Sequence, residues 1–314
     1  MRVATHAYTD SIVNQFGNLA AKQYAYQSQV STGLRVQSAS DDPAAMRNTL
    51  DYVADKAQQT QYGTNISTLQ TRANSIYNVI QSLQTISSRA GEIATSAGSA
   101  TANSSDLSGY AEEVNSLVQQ TVTAANTKDP STGQYLFSGT ASTAVPYTVA
   151  KDANGNITGV TYNGNSSVNQ VAIGAGTTTA VDVPGANTGT GGTRGLITDT
   201  QSGADLINHL ISLRDHLKAG DTTSITSTDA INLQKDENNV SYQVAHNGVV
   251  QSSLTAAATF ATNSEQSLNK MASDQSSANL VDVLVQLNSA QTAYQAALQS
   301  GSKILSLSIL NYIQ

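Results

Sequence analysis

Four histidines could bind a transition metal or act as a general base in this sequence: His6, His209, His216 and His246. His209 and His216 lie seven residues apart, about two helical turns, and Asp205 and Asp215 lie nearby. This spacing alone permits a metal site. We favour an interpretation as solvated helix residues, because no His-Glu-x-x-His motif of a metalloprotease accompanies them.

Two segments are similar to ligand-binding loops. Residues 189–195 are rich in glycine, but they lack the Lys-Ser/Thr pair of a phosphate-binding P-loop, so we interpret them as a flexible connector. Asp152, Asn154 and Asn156 match the start of an EF-hand calcium loop. Ile157 and Asn163 then stand where that loop requires Gly and Glu. With no cysteine nucleophile either, the sequence predicts no catalytic residue, no cofactor and no metal site.

The composition excludes two further classes of function. Charged residues make up only 12% of the 314 residues, and 15 basic against 22 acidic side chains give a net charge of −7. Because no basic stripe stands out, we expect no nucleic-acid partner. No stretch approaches the roughly 20 apolar residues of a membrane helix, so we also expect no membrane partner. The first ten residues have no apolar core of a secretory signal, which predicts export, if any, without a cleaved signal peptide.

Both ends of the chain have the seven-residue spacing of helices that pack along other helices. The N-terminal seam comprises Ile12, Phe16, Leu19, Tyr26 and Val30, with Gln23 at the skipped position. The C-terminal seam comprises Leu284, Leu287, Tyr294 and Leu298. We interpret these nine residues as candidate assembly contacts. The alternative is that they only form a core within one subunit, and both can hold.

Helix boundaries are marked by residues with special backbone preferences. Gly33 suits the left-handed position that ends a first helix. Asp42 is a good N-cap and Pro43 suits the first helical position, so a second helix should begin there. Its apolar pattern runs to about Ala97, which predicts a helix of ~55 residues and roughly 80 Å. A third helix should end before Asp129.

The middle of the chain changes to the pattern of short strands. Asn154-Gly155 between residues 147–151 and 157–162 is a strong signal for a β-hairpin. Residues 171–173 and 180–183 are further candidate strands. Helical spacing returns with Leu206, Leu210, Leu213 and Leu217, and long helices should occupy about 228–273 and the C-terminal segment.

Together these patterns predict a mainly α protein: an elongated coiled-coil helical bundle formed by the N- and C-terminal segments, with a small inserted β-rich domain. The predicted division has three parts. Residues 1–40 with 279–314 form a terminal coiled coil, residues 41–135 with 200–278 form a helical bundle, and residues 136–199 form the β domain.

Several of these segments resemble one protein family. Residues 29–45, QVSTGLRVQSASDDPAA, resemble the N-terminal signature of flagellins and flagellar hook-associated proteins, and residues 279–307 resemble the closing helix of that family. The signature positions are Gly33, Arg35, Asp41, Asp42 and Pro43. Residues 133–139, GQYLFSG, with Tyr162-Asn163-Gly164, are similar to the members that join the hook to the filament.

The resemblance implies a structural subunit of the bacterial flagellum and no enzymatic activity. Such a protein is exported through the flagellar type III apparatus with the help of a chaperone. It assembles outside the cell as a ring of about 11 copies between hook-associated protein 1 and flagellin. Flagellin itself, or a minor flagellin-like protein, is the alternative within the family. An enzyme or binding module in the β insertion is the alternative of another class, although no convergent polar site is visible there.

Overall fold

In this computed structural model the backbone is described for residues 2–99 and 103–313, and the side chains for residues 10–99 and 103–303. The side chains of His6 and of the residues after Lys303 therefore lie outside the described part. The helices, of which α5 is a three-residue turn, are α1 Arg2–Thr32, α2 Pro43–Ala97, α3 Ser104–Ala125, α4 Leu206–Ala219, α5 Thr222–Ser224, α6 Ala230–Ser276 and α7 Leu280–Ile313. A π-helical turn, Ile225–Asp229, leads into α6.

The predicted helix boundaries at both ends of α2 are confirmed. Gly33 follows α1 with φ of +71°, a conformation that side-chain-bearing residues rarely adopt, so the chain can turn there. The Asp42 carboxylate accepts a hydrogen bond from the backbone N–H of Ala45 at 3.0 Å, which is the contact of an N-cap. Pro43 is the first residue of α2, and Ala97 is its last.

The strands lie between α3 and α4: β1 Tyr147–Lys151, β2 Ile157–Tyr162, β3 Val171–Gly174, β4 Thr177–Thr179, β5 Ala186–Asn187, β6 Thr198–Asp199 and β7 Ala204–Asp205. β1 and β2 form the predicted antiparallel hairpin, with Gly155 at φ of +84° in its turn. β3 pairs with β4 antiparallel, while β6 pairs parallel with β5 and antiparallel with β7.

The predicted strand at residues 180–183 is wrong, although the prediction at 171–173 is confirmed. Residues 180–183 have no regular secondary structure, and the strand that pairs with β3 comes earlier, at Thr177–Thr179. Val181 and Val183 are both buried. Their alternating spacing therefore reflects the burial of an irregular segment. From the spacing alone, such a segment cannot be distinguished from a paired strand.

The chain divides into two compact units. The terminal unit comprises residues 1–58 and 263–314, and the central unit comprises residues 59–262. Long helices α2 and α6 each contribute to both units. The three-part division predicted from the sequence stays a prediction, since these units group the same segments in another way.

The central unit has one main core that joins its helices and its strands. Ile80 and Leu83 from α2, Val114 from α3 and Leu210 from α4 are fully buried in it. The hairpin residues Tyr147 and Ile157 belong to the same core. Arg214 on α4, only 3% exposed, donates to the carbonyl of Ile157 at 2.6 Å. The β-rich segment is thus packed onto the helices of its own unit.

Candidate assembly surfaces

The histidines of α4 are paired with buried carboxylates. His209 Nδ1 lies 2.8 Å from Asp236, and His216 Nδ1 lies 2.7 Å from Asp229. Both aspartates are fully buried, and Asp236 also accepts from the backbone N–H of Asp205. Our interpretation of these histidines as solvated residues is wrong, because their partners come from a distant part of the sequence. Among the residues described, no group of three or more potential ligands could hold a metal.

The His209–Asp236 pair should make stability depend on pH. Burial by itself lowers the pKa of His209, but the hydrogen bond and charge of Asp236 outweigh it and raise the pKa above 6.5. Burial raises the pKa of Asp236 as well. The folded state therefore binds protons more tightly than the unfolded state at both groups, so stability should fall as pH rises.

We expect the thermal midpoint to be higher at pH ~6, where the histidine contribution is fully present, than at pH ~8.5, above the ordinary histidine range. Thermal unfolding followed by circular dichroism at the two values measures this difference. His209→Gln should show a smaller difference, because the glutamine does not titrate. An unchanged difference in that variant would assign the pH dependence to other groups.

The glycine-rich segment 189–195 is held by amide side chains. Asn187 Nδ2 donates to the carbonyls of Gly191 and Thr193 at 3.0 and 2.9 Å. Asn239 on α6 donates to the carbonyl of Gly195 at 2.9 Å. Our interpretation of this segment as a flexible connector is therefore wrong, because its backbone carbonyls are held by hydrogen bonds.

The described helices include none that is long and apolar enough to cross a membrane.

Helices α1 and α7 pack against each other through the predicted N-terminal seam. Ile12, Phe16, Leu19, Gln23, Tyr26 and Val30 are all partly buried. Phe16 meets Tyr294 of α7 edge to face, with ring centroids 6.2 Å apart. A Cβ at Gly301 would lie 2.9 Å from the Phe16 ring, so a larger residue there would require the Phe16 ring to shift. Since Phe16 lies against both positions on α7, the seam is a direct helix–helix contact.

The C-terminal seam differs from the predicted one at two positions. Leu287 and Tyr294 are partly buried in it, together with the buried Val283 and Ala290. Leu284 and Leu298 lie outside it, each 46% exposed. The sequence pattern favoured the larger apolar residues, whereas small side chains occupy the closest contacts. The assembly role of all nine seam residues stays a prediction, and the exposed pair is available to a partner.

The signature segment, residues 29–45, contacts the turn between α6 and α7. Arg35 donates from its guanidinium to the carbonyl of Gln275 at 2.9 Å and pairs with Asp42 at 3.1 Å. Its backbone N–H also bonds the carbonyl of Ser276 at 2.7 Å. The turn after α1 is thereby tied to the turn between α6 and α7, and Asp42 links this contact to the start of α2.

Asp41 closes the short extended piece between the two helices. Its carboxylate accepts from the backbone N–H groups of Gln37 and Ser38 at 3.0 and 2.8 Å. These two hydrogen bonds lower the pKa of Asp41. The pKa of Asp42 is lowered mainly by the hydrogen bond from the backbone N–H of Ala45, and next by the hydrogen bond from Arg35. Both carboxylates are thus held in the charged form, which fits a role in fixing the turn.

The terminal unit buries little apolar surface of its own. Among its described side chains, those of residues 10–58 and 263–303, the buried apolar residues are only Val36, Ala45, Val283 and Ala290. The same ranges expose large apolar side chains: Val13, Tyr24, Leu34, Leu50, Val53, Met271, Leu280, Val281, Leu284, Val285 and Leu298. Among its described side chains, this unit therefore exposes more large apolar side chains than it buries.

Residues 3–142 match the family model of the bacterial flagellin N-terminal helical region. Hook-associated protein 3 of Salmonella typhimurium is 27% identical over 170 residues, which cover 54% of this chain and 51% of that protein. Hook-associated protein 3 of Escherichia coli is 30% identical over 152 residues, which cover 48% and 47%. The chain thus spans about half the length of the curated relatives it matches.

A solved structure shares the fold. A flagellar hook-associated protein of Vibrio parahaemolyticus superposes with a TM-score of 0.64 at 20% identity, covering 76% of this chain and all of that one. This likeness supports the mainly helical fold with a small β-rich region, and that predicted fold class is confirmed. The predicted resemblance to flagellins and hook-associated proteins is confirmed too, since the proteins matched are named as flagellar hook-associated proteins.

Proposed function

We propose that this chain is hook-associated protein 3 (FlgL), the structural adaptor between the hook and the filament of the bacterial flagellum. The relatives in Salmonella and Escherichia coli that it matches carry that name, and the matching family model is that of the flagellin N-terminal region. An adaptor requires surfaces that are completed only by neighbouring subunits. No catalytic role is part of the proposal.

The observation that carries this proposal is the lack of a core in the terminal unit. Four buried apolar side chains, none larger than valine, accompany eleven large exposed ones in its described ranges. Burial of apolar surface supplies roughly 25 cal/mol per Å², so such a unit gains most of its stabilisation when partners cover it. The central unit, with a continuous core of its own, does not depend on partners in this way.

The partners follow from this position in the flagellum. On one side the adaptor contacts hook-associated protein 1, and on the other it contacts flagellin. Copies of the chain contact one another in a ring of about 11 subunits. The protein acts outside the cell after export by the flagellar type III apparatus, with a chaperone covering its apolar surface beforehand. Exposed apolar residues such as Leu280, Val281 and Val285 on α7 are available to contact the chaperone before export and neighbouring subunits after assembly.

The flagellin family match makes a filament subunit the second candidate. Copy number separates the two functions. Quantitative mass spectrometry should be applied to isolated flagella that have been sheared to different mean lengths. An adaptor should remain at a constant number of copies per hook, near one ring, while flagellin increases with filament length. A copy number that rises in proportion to filament length would instead assign the chain to the filament.

A further inference from the structure

Three asparagines in this chain directly precede a glycine: Asn154, Asn163 and Asn247. Such a pair can react with itself, because glycine has no side chain to block the approach of its backbone nitrogen to the asparagine side chain. The nitrogen attacks the side-chain amide carbon, and the new C–N bond closes a succinimide ring. The proton of the glycine N–H leaves with the side-chain NH2 as ammonia. Water then opens the ring at either carbonyl, which gives aspartate or isoaspartate.

The first of these pairs lies at the exposed tip of the hairpin between β1 and β2. Gly155 has φ of +84°, and apart from its chain neighbours a Cβ there would meet no described atom within 4 Å. Asn154 donates from its backbone N–H to the Asp152 carboxylate at 2.9 Å, but among the described residues none holds its side-chain amide. The amide carbon of Asn154 is therefore open to water and free to rotate towards the Gly155 nitrogen.

The second pair follows β2 and is held in place. Asn163 donates from Nδ2 to the carbonyl of Val145 at 3.3 Å and to Oγ1 of Thr148 at 3.2 Å. A Cβ at Gly164 would lie 2.4 Å from the Tyr162 hydroxyl, so this glycine is closely surrounded. Rotation of the Asn163 side chain towards the Gly164 nitrogen would break both hydrogen bonds. The fold therefore slows ring closure at this pair.

The third pair is buried within α6. Asn247 is only 2% exposed, donates from Nδ2 to the carbonyl of Ala73 at 3.2 Å and accepts from Gln251 at 2.6 Å. Gly248 lies inside the same helix, where backbone N–H groups donate to carbonyls of the preceding turn. Both the amide carbon and the attacking nitrogen are thus engaged, and little water reaches them.

We propose that Asn154 is a site of spontaneous deamidation in the folded protein, while the fold protects Asn163 and Asn247. The proposal goes beyond the proposed function and does not rest on it, because the reaction needs only water. Asp152 controls the rate: its carboxylate accepts from the backbone N–H groups of Asn154 and Asn156, and its carbonyl accepts from that of Gly155 at 3.0 Å. The attacking nitrogen becomes available when this exposed turn opens.

Mass spectrometry of the intact folded chain, incubated in heavy-oxygen water, measures the three conversions together. Water that opens the ring during incubation labels the product, and digestion then takes place in ordinary water. Trypsin releases Asn154 and Asn163 on one peptide, residues 152–194, and fragment ions assign the label to a residue. We expect the label at Asn154 to exceed that at Asn163 and at Asn247 at least tenfold. It should increase with pH, because the attacking nitrogen must lose its proton.

The same chain unfolded in guanidinium chloride is the control for the effect of sequence alone. All three asparagines should then convert at comparable rates, because the protecting contacts are gone. Asn154→Gln should stay unlabelled at that position, since glutamine must close a larger ring, and Asp152→Ala should be labelled faster at Asn154.

Two results would overturn the proposal. Comparable labelling of the three asparagines in the folded chain would show that the fold does not select among them. An unlabelled Asn154 in the folded chain, over a time in which the unfolded chain converts, would show that the turn protects it as well. Either result would leave the proposed function intact.

Discussion

Leu287→Asp should abolish the attachment of filaments to hooks while the central unit stays folded. Leu287 is partly buried in the seam where α7 packs on α1. An aspartate there would have to be buried as a charge without a cationic partner, or the two helices would have to separate. Because the terminal unit has so few other buried apolar side chains, nothing else in its described part compensates. We expect attached filaments to fall more than tenfold by electron microscopy.

Gln295→Asp is the matched control for this variant. Gln295 lies on the same helix and is exposed, so the substitution adds the same charge outside the seam. Filament attachment should be close to normal in this control. Near-ultraviolet circular dichroism of both purified variants should retain the signal from the tyrosines of the central core, and in Leu287→Asp only seam tyrosines such as Tyr294 should change environment. Normal swimming of Leu287→Asp would contradict the role of the seam in assembly.

Arg72→Met should be the most destabilising single substitution of a charged residue in the central unit. Arg72 on α2 is 14% exposed and pairs with both Asp129 and Asp182, whose side chains are almost fully buried. Burial by itself would raise the pKa of Asp129, but hydrogen bonds from Ser131 and the charge of Arg72 keep it lowered. Removal of the cation leaves two buried carboxylates uncompensated, which costs about 3–5 kcal/mol.

Urea unfolding followed by circular dichroism measures this loss. Arg89→Met is the matched control, because Arg89 lies on the same helix and pairs with Glu92 and Glu113 at the surface. Its midpoint should hardly move, as exposed ion pairs contribute little. Adding Asp129→Asn and Asp182→Asn to Arg72→Met should recover part of the stability. A similar small effect for Arg72 and Arg89 would contradict the account of a buried ion cluster.

The helices could be predicted from the sequence because their signals are local. Asp42 and Pro43 define the start of α2 through the backbone chemistry of a few adjacent residues, and Gly33 does the same for the end of α1. The Asn154-Gly155 turn likewise fixes the hairpin by its own conformational preference. At each of these positions, adjacent residues determine the backbone conformation without contacts from distant parts of the chain.

The features that the sequence did not predict depend on distant residues. His209 and Asp236 are 27 residues apart, and Arg72 and Asp182 are 110 apart, so no spacing rule connects them. The prediction that Leu284 lies in the C-terminal seam failed for a different reason. Large apolar residues occur on both the packed face and the exposed face of α7, so their spacing alone does not identify the packed face.

Deletion of the gene tests the central claim most directly. The deletion strain would be examined by electron microscopy for hooks and filaments, and its culture supernatant would be analysed for flagellin. The proposed adaptor role predicts hooks without filaments, intact flagellin shed into the medium, and recovery of filaments when the gene is restored. Hooks that still carry filaments in the deletion strain would contradict an essential role at the junction and favour a minor flagellin.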